Sequence, residues 1–305
     1  MQKKTVVMIG SSCIDEYYEM DYVPRLGEKT LTRFVDRKVG GMIGNAAAVT
    51  ASYGLNVYLM DAVNSGDNTR FILEDCEKAG IRLDMIRYDD SLPDTKCILF
   101  LKDGERIIYV VPTQKSNVEP DEKQKEILAS AEYVYTNLEE LKYFRDTKGF
   151  LEWLRSMDTR LVLDVERIEE KDREIEWEII KRASLIFVNE EGDEQLREKI
   201  SKDYQDILRN LGCMIVATKG SRGCAILTPE GAEYEIPAYA VKPVDTTGAG
   251  DTFNSSFLYG LTQGWEIQET GRFANGAAAN AILRMGARSG AVGEEAVRKF
   301  MKENE

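Results

Sequence analysis

The chain has 305 residues, a formal net charge of −13 and no histidine. Its length allows a sizeable core, built as one α/β domain with embellishments or as two smaller domains. The acidic balance argues against nucleic-acid binding, which needs a basic surface to displace counterions. The lack of histidine excludes Ser–His and Cys–His nucleophile pairs and histidine-ligated zinc, so a general base must be a carboxylate, a lysine or something rarer.

The apolar segments and the cysteines bear on the compartment in which the protein works. No apolar run reaches membrane-spanning length and the N-terminus lacks a secretory cleavage pattern, so we expect a cytoplasmic protein without a membrane partner. Because the cysteines are odd in number, widely spaced and free of Cys-x-x-Cys pairs, we expect reduced, mostly buried thiols rather than disulfides or a zinc site. They are Cys13, Cys76, Cys97, Cys213 and Cys224.

Short β-branched runs alternate with amphipathic helical patterns along most of the chain. This alternation predicts a mainly parallel sheet flanked by helices, with right-handed crossovers. The predicted strands are 5–9, 57–61, 133–137, 161–164, 185–188, 214–218 and 224–227, and the clearest predicted helices are 68–79 and 174–182.

Two segments break this alternation and predict strands without helices. One contains residues 17–21 and 30–38, and the other contains 96–101 and 106–111 joined by Asp103-Gly104, a hairpin turn signal. We expect these strands to pair into a small accessory sheet. The alternative is that they extend the edge of the main sheet.

The most informative stretch is Asp-Thr-Thr-Gly-Ala-Gly-Asp-Thr-Phe at residues 245–253. Apolar residues follow at helical spacing from Phe253 to Leu261, and Gly264 is placed to end that helix, so the glycines lie at a helix start. Backbone N–H groups at such a start bind negative oxygen, and Asp251 could take a proton from an acceptor hydroxyl. Read alone, the stretch is equally a tight turn that Asp251 caps.

The whole stretch resembles the C-terminal signature of the ribokinase-like (PfkB) carbohydrate kinases, Asp-Thr-x-Gly-Ala-Gly-Asp. The resemblance implies phosphoryl transfer with Asp251 as the catalytic base. It also implies that the backbone of the same turn forms the anion hole, namely Gly248, Ala249 and Gly250 up to Asp251.

The resemblance further implies two cation sites. Asp245 and Thr247 would lie beside a monovalent cation, K⁺, that some members bind. Residues 187–192 resemble the Asn-x-x-Glu motif that organises Mg²⁺ and its waters, although Gly192 stands where the motif has glutamate. We therefore expect Asn189 to keep its place while Glu190 or Glu191 supplies the charge. The alternative for these glutamates is a helix start that complements the helix dipole.

A second glycine-rich stretch, residues 39–48, indicates the sugar pocket. Gly40 and Gly41 let the backbone approach a ligand closely, and Asn45 offers a donor and an acceptor to sugar hydroxyls. Alone, these residues are equally a hinge and a helix cap, but they match the family's N-terminal Gly-Gly and Asn pattern. Asp15, after the first strand, matches the family's substrate-binding aspartate and can accept hydrogen bonds from two neighbouring hydroxyls.

A third candidate for the sugar pocket follows residues 133–137. Members of the family often carry a Leu-Glu pair here whose carboxylate faces the sugar, which makes Glu139 a secondary candidate. Glu140, the next residue, leaves the register open.

Two stretches resemble the nucleotide-binding part of the family. Residues 218–223, Thr-Lys-Gly-Ser-Arg-Gly, are similar to the Thr-x-Gly-x-x-Gly loop, which implies contacts from Thr218, Gly220 and Gly223. Asn275 begins a run of small residues before Gly286-Ala287, which resembles the turn bordering the adenine and cation sites. Small-residue helices are more often simply places of close helix packing.

The resemblance covers essentially the whole chain and implies an α/β, ribokinase-like three-layer sandwich with a central mainly parallel sheet and a small β-sheet lid. The expected core is 1–12, 39–94 and 113–305, and the expected lid is 13–38 and 95–112. The lid sheet is also the expected surface of a homodimer.

The resulting hypothesis is an ATP- and Mg²⁺-dependent kinase acting on a primary hydroxyl of a small ribose-, fructose- or other ketose-like sugar. Stacking by Tyr17 or Tyr109 would instead favour a nucleoside kinase. A group of cationic side chains near the lid would favour a phosphosugar kinase. The alternative that is not an enzyme is a catalytically silent sugar- or nucleotide-sensing module. The cations are Arg25, Lys29, Arg33, Arg37 and Lys38.

Overall fold

The computed structural model describes residues 4–103 and 105–304. The strands are β1 (Thr5–Ile9), β2 (Cys13–Met20), β3 (Thr32–Gly40), β4 (Asn56–Val63), β5 (Arg82–Tyr88), β6 (Lys96–Lys102), β7 (Glu105–Val111), β8 (Tyr133–Asn137), β9 (Arg160–Val165), β10 (Leu185–Val188), β11 (Met214–Thr218), β12 (Cys224–Leu227) and β13 (Glu233–Ile236). The helices are α1 (Met42–Ser52), α2 (Asp67–Lys78), α3 (Glu122–Ser130), α4 (Leu138–Lys142), α5 (Thr147–Ser156), α6 (Arg173–Ile180), α7 (Glu190–Gln195), α8 (Tyr204–Asn210), α9 (Ala249–Gln263), α10 (Ile267–Ala281) and α11 (Gly293–Glu303).

The main sheet contains nine strands in the order β13-β12-β11-β10-β9-β8-β1-β4-β5. All neighbours from β11 to β5 run parallel, whereas β12 and β13 are antiparallel additions at one edge. The parallel strands are short and apolar because both faces of the sheet are covered, as β1 and β10 show with their continuous buried runs. This confirms the predicted mainly parallel sheet.

Two hydrophobic cores, one on each face of this sheet, make the structure three-layered. Helices α1, α2, α9, α10 and α11 pack on one face, where Phe257 and Phe273 are fully buried. Helices α3 to α6 and α8 pack on the other, where Leu141 and Tyr204 are fully buried. In the part of the chain that the structure describes, no helix combines the length and apolarity needed to cross a bilayer.

A separate sheet of four strands has the order β3-β2-β6-β7. Its central pair, β2 and β6, comes from distant segments and runs parallel, with Asp15 opposite Cys97. The prediction of an accessory sheet is therefore confirmed, and the alternative of an extended main sheet is wrong. Of the hairpin signal between β6 and β7, Asp103 has a left-handed φ of 50°, and Gly104 lies outside the described residues.

The pleat of the small sheet gives it two different faces. Paired residues share a face and successive residues alternate, so Cys13, Asp15 and Tyr17 lie on the same face as Cys97 and, in β7, Arg106. Aromatic rings on the other face touch edge to face or at a tilt, and they are Tyr18, Phe34, Phe100 and Tyr109. Tyr109 thus points away from the face that carries Asp15.

Candidate active site

The glycine-rich turn before α9 has the conformation that its sequence predicts. Gly248 is left-handed, with φ 75°, and a Cβ there would lie 2.0 Å from the carbonyl oxygen of Ala287. Only glycine fits both constraints. The N–H of Ala249 donates to the Thr246 carbonyl at 3.3 Å, whereas the next two N–H groups lie in the first helical turn, where no intrahelical acceptor exists. The N–H groups of Gly250 and Asp251 therefore lie in the part of a helix where anions commonly bind.

Asp251 lies in the first turn of α9, and its Oδ2 accepts a hydrogen bond from Asn45 Nδ2 at 2.9 Å. Burial raises the pKa of Asp251 to about 7. The Asn45 amide and the Arg288 guanidinium oppose this shift, while the charges of Glu166 and Asp15 add to it. A carboxylate with this pKa is ionised half of the time near neutral pH, which suits a general base.

Arg288 holds the Asn45 amide from the other side. Its Nε lies 3.4 Å from Asn45 Oδ1, so Asn45 is oriented with its Nδ2 toward Asp251. The guanidinium also donates to the Ser12 hydroxyl at 2.8 Å and pairs with Asp75 on α2. Sequence reasoning missed Arg288, although it directly follows the Gly286-Ala287 turn that the family resemblance had marked.

Asp15 is only 6% exposed and lies within strand β2 of the small sheet. Two glycines allow close packing here: Gly40, the last residue of β3, makes room for Asp15, and Gly41 directly precedes α1. A Cβ on Gly40 would lie 2.0 Å from Asp15 Oδ2, and one on Gly41, where φ is 90°, would lie 2.9 Å from the Ser11 carbonyl oxygen. Burial raises the pKa of Asp15, and hydrogen bonds from Cys13 and Cys97 together with two nearby arginines act against that rise.

Glu139, which we expected to face the sugar pocket, lies on a different side of α4 from Glu140. Glu139 is exposed and pairs with Lys142 in the same helix, while the carboxylate of Glu140 accepts from the Ser11 N–H at 3.2 Å. One residue along a helix rotates the side chain by about 100°, so only one of two neighbouring glutamates in α4 can point back toward β1.

Glu140 belongs to a buried ion cluster at the carboxyl ends of β1 and β4. Lys115 is 6% exposed, and its Nζ donates to Asp61 at 2.7 Å, Glu140 at 2.6 Å and the Ser11 hydroxyl at 3.0 Å. Burial alone would lower the pKa of Lys115, but the two carboxylates outweigh it and the pKa rises. Lys115 thus uses all three of its N–H donors within the cluster, and this network holds the Glu140 carboxylate beside Ser11.

The departure from the Asn-x-x-Glu motif has a steric cause. A Cβ on Gly192 would lie 2.3 Å from the Val165 carbonyl oxygen at the end of β9. Asn189 caps α7 by accepting from the Gly192 N–H at 2.7 Å, and Glu191 accepts from Gln195 at 2.9 Å. The end of β9 thus occupies the place into which the motif's glutamate would extend.

A pocket of about 910 Å³ opens beside the anion turn. Its lining is largely apolar and contains the three expected loop residues together with the start of α9 and the small residues of α10. Thr218 donates to the Val188 carbonyl at 3.4 Å, and Asn275 donates to the carbonyls of Ile236 and Pro237 at 3.0 and 3.1 Å. The expected nucleotide residues in the lining are Thr218, Gly220, Gly223 and Asn275.

Asp245, proposed for a monovalent cation, is surrounded by donors from the protein itself. Its oxygens accept from Thr247 N–H and hydroxyl at 2.9 and 2.6 Å and from the Gly286 N–H at 2.9 Å. Arg106 of the small sheet also reaches it at 3.3 Å and donates to the Thr247 hydroxyl. Burial raises the pKa of Asp245, but these hydrogen bonds and the arginine outweigh burial and lower it. The Asp245 side chain is therefore held in place by donors from both the anion turn and the small sheet, and its role beside a monovalent cation stays a prediction.

A buried polar group lies beneath the site. Asp164 Oδ2 accepts from the Tyr135 hydroxyl at 3.0 Å and from Asn254 at 2.9 Å, one turn after Asp251 in α9. Burial raises the pKa of Asp164, and the charges of Glu166 and Asp251 add to that rise. This group anchors the N-terminal half of α9 to β8 and β9.

Comparison with known proteins identifies the family to which this site belongs. A family model described as "pfkB family carbohydrate kinase" matches residues 3–292. The chain belongs to the pfkB family of carbohydrate kinases. Membership makes it a phosphotransferase that uses an alcohol as acceptor.

Individual pfkB-family proteins resemble the chain over nearly its whole length. Ribokinase from Bacillus subtilis is 26% identical over 94% of this chain and 96% of its own. ATP-dependent ribose-1-phosphate kinase from Halopiger xanaduensis is 26% identical over 98% of both. The solved structure of Arabidopsis thaliana ribokinase, complexed with ribose and ATP, shares the fold with a TM-score of 0.83, 23% identity and 99% coverage of both chains.

Proposed function

We propose that the protein transfers the γ-phosphoryl group of ATP to a primary hydroxyl of a small sugar, with Asp251 as the general base. The observation that carries this proposal is the position of Asp251. It lies in the helix turn whose Ala249 and Gly250 line the 910 Å³ pocket, and it is hydrogen-bonded to Asn45 of the opposite glycine-rich segment. A carboxylate between an anion hole and a hydroxyl-binding segment is what in-line transfer to an alcohol requires.

Nucleotide binding follows from the shape and chemistry of the large pocket. The space beside Gly250 is open, since a Cβ there would meet nothing within 4 Å. Triphosphate oxygens can therefore approach the free amides of the α9 turn, where the helix dipole also favours negative charge. The apolar walls from α10 and the loop at Gly220 and Gly223 suit a flat base.

The donor set beside this turn is compatible with Mg²⁺. Glu166 and Glu191 are close enough that the charge of Glu191 raises the pKa of Glu166, and carboxylate oxygens are the ligands that Mg²⁺ prefers. We infer that these two glutamates would hold the ion or its waters, with Asn189 fixing the start of α7. When bound, Mg²⁺ neutralises phosphate oxygens during transfer.

The acceptor side is built from Asp15, Asn45 and Glu140. These side chains come from three separate segments, and Asp15 and Asn45 are almost fully buried. Carboxylates that are already desolvated can accept hydrogen bonds from neighbouring hydroxyls of a small polyol. Ribose-, fructose- and other ketose-like sugars meet this description, and the substrate-binding role passes from Glu139 to Glu140.

A nucleoside kinase is the second candidate, and Tyr17 favours it. Tyr17 shares the site-facing side of β2 with Asp15, and the charge of Asp15 adds to burial in raising the Tyr17 pKa. A ring in this place can stack on a base. Tyr109, the other aromatic considered, is 56% exposed on the opposite face.

The small sheet is proposed to act as a lid. Arg106 already bonds across to Asp245 and Thr247, so closing this sheet covers the acceptor site and excludes water as a competing acceptor. Its outer face carries the exposed rings of Phe34 and Tyr109, which lie in its two edge strands, β3 and β7. We propose this face as the surface of a homodimer. The lid segments 13–38 and 95–112 and the cytoplasmic location stay predictions.

An acceptor panel tests the proposed function. ADP release should be measured with ribose, fructose, other ketoses, sugar phosphates and nucleosides, each with and without Mg²⁺ and K⁺. We expect turnover with a free sugar that needs Mg²⁺. Turnover of a nucleoside alone would select the second candidate. No turnover by a folded protein that binds ATP would contradict the proposal and favour a sensing module.

A further inference from the structure

Three potential metal ligands meet on the site-facing side of the small sheet. Cys13 and Asp15 are alternate residues of β2, and Cys97 lies opposite Asp15 in β6. One ligand atom from each lies within 4.8 Å of the other two. Cys13 and Cys97 are 84 residues apart in sequence, so the spacing of the cysteines gave no sign that their side chains converge.

Two of the three distances among these atoms match the edges of a tetrahedron around one metal ion, and the third is at most 4.8 Å. The Sγ atoms of Cys13 and Cys97 are 3.7 Å apart, and Cys13 Sγ is 3.4 Å from Asp15 Oδ1. Two thiolates on one tetrahedral zinc ion lie ~3.8 Å apart, and a thiolate and a carboxylate oxygen ~3.5 Å, given the usual bond lengths. A disulfide would need the sulfurs at about 2.05 Å, so at 3.7 Å the two cysteines are free thiols.

We propose that Cys13, Cys97 and Asp15 form a binding site for a thiophilic divalent metal ion, Zn²⁺, and that the ion competes with the acceptor sugar for Asp15. The metal site stands on the geometry of the three side chains. The competition rests on the proposed function, because it requires Asp15 to hold the sugar. The protein supplies three ligands, and water completes the tetrahedron, which is typical of an open zinc site.

The chemistry of the ligands separates this site from that of Mg²⁺. Thiolates select Zn²⁺ over Mg²⁺, which takes oxygen ligands, so the cation that serves phosphoryl transfer does not fill this site. Binding releases the proton of each thiol to solvent while the Asp15 carboxylate keeps its charge. The half-buried Cys97 side chain gives the ion a path to Cys13, which is only 3% exposed.

Cobalt spectroscopy tests the metal site without any enzyme assay. The reduced, chelator-treated protein is titrated with Co²⁺, and then with Zn²⁺ to displace it. We expect a stoichiometric site with a sulfur-to-cobalt charge-transfer band and the intense visible bands of tetrahedral Co²⁺. Cys97→Ala and Cys13→Ala should each weaken Zn²⁺ binding at least tenfold, whereas Cys213→Ala, in the buried core beside β11, should leave it unchanged. Circular dichroism and thermal unfolding confirm that each variant is folded.

The outcomes separate the metal site from the kinase proposal. A wild-type protein without the charge-transfer band, or a Cys97→Ala variant that binds Zn²⁺ as well as wild type, overturns the site. Loss of binding in Cys213→Ala to the same extent also overturns it, as does formation of a Cys13–Cys97 disulfide in a protein that binds no metal. If the acceptor panel finds a sugar, Zn²⁺ should raise its apparent KM in wild type but not in Cys97→Ala. An unchanged KM would contradict the competition between Zn²⁺ and the sugar, but it would not affect the spectroscopic evidence for the metal site.

Discussion

The amide nitrogen of Asn45 lies 2.9 Å from the carboxylate of Asp251 and joins the start of α1 to the start of α9. These two helix starts carry the two glycine-rich stretches of the sequence, so one hydrogen bond connects the sugar-side segment with the anion turn. Arg288 fixes the other end of the same amide. The orientation and charge of Asp251 therefore depend on residues from three distant parts of the chain.

Replacing Asn45 with leucine should slow the enzyme and shift its pH dependence. The Asn45 donor favours the ionised form of Asp251, whose pKa is about 7, so its loss raises that pKa further. Because a general base works deprotonated, the acid limb of kcat/KM should move to higher pH, and the rate at pH 7 should fall about tenfold to a hundredfold. The pH profile checks this, with Asn210→Leu, exposed at the end of α8, as control. An acid limb that stays in place would remove Asp251 as the titrating group.

Replacing Arg106 with alanine should disconnect the small sheet from the anion turn. Arg106 spans from β7 to Asp245 and Thr247, whereas Arg33 pairs with Glu19 within the small sheet. We expect Arg106→Ala to lower kcat/KM roughly tenfold or more and to speed hydrogen exchange in the 245–248 turn. Arg33→Ala should change neither. Equal effects of the two variants would contradict the role of Arg106 across the site.

Placing the family's glutamate at position 192 should lower the stability of the protein. The Val165 carbonyl oxygen lies 2.3 Å from the place of a Cβ, so even Gly192→Ala forces β9 or α7 to move. We expect Gly192→Ala to lower the free energy of unfolding by about 1–3 kcal/mol and Gly192→Glu by more. Urea unfolding measures both, with Glu191→Gln as a neighbouring control. A Gly192→Glu protein of wild-type stability would show that the end of β9 does not fill that space.

Glu140→Gln and Glu139→Gln form a matched pair. Glu140 accepts a hydrogen bond from the Ser11 N–H and forms an ion pair with buried Lys115. Its replacement should therefore raise the KM for the sugar and lower the free energy of unfolding by about 1–3 kcal/mol. Glu139 makes an exposed ion pair, and its replacement should change stability by less than about 0.5 kcal/mol. Kinetics and urea unfolding check both. The reverse order would return the sugar role to Glu139.

Local sequence patterns predicted the parts of the structure that local physics determines. The strands at 5–9, 133–137 and 185–188 have the expected bounds, because buried β-branched runs between turn signals leave little choice. The helix start at Gly248 was also predictable, because the left-handed backbone of this turn favours glycine and is set by the residues next to it in sequence.

The remaining features depend on contacts between distant segments, which a single sequence does not contain. Arg106 reaches Asp245 across 139 positions, and Arg288 reaches Asn45 across 243. The choice between Glu139 and Glu140 depended on the rotation of a short helix, which no motif fixes. Gly192 departed from the family pattern for a reason that became visible only when the end of β9 was placed against it.

The most direct measurement is ADP release by Asp251→Asn with the best acceptor of the panel, together with ATP affinity by calorimetry. Asparagine keeps the shape of the side chain and the anion turn but cannot accept the hydroxyl proton. The account predicts that turnover falls by about 10²-fold to 10⁴-fold, while ATP binds nearly as tightly as in wild type. Turnover close to that of wild type in the folded variant would contradict the assignment of Asp251 as the general base.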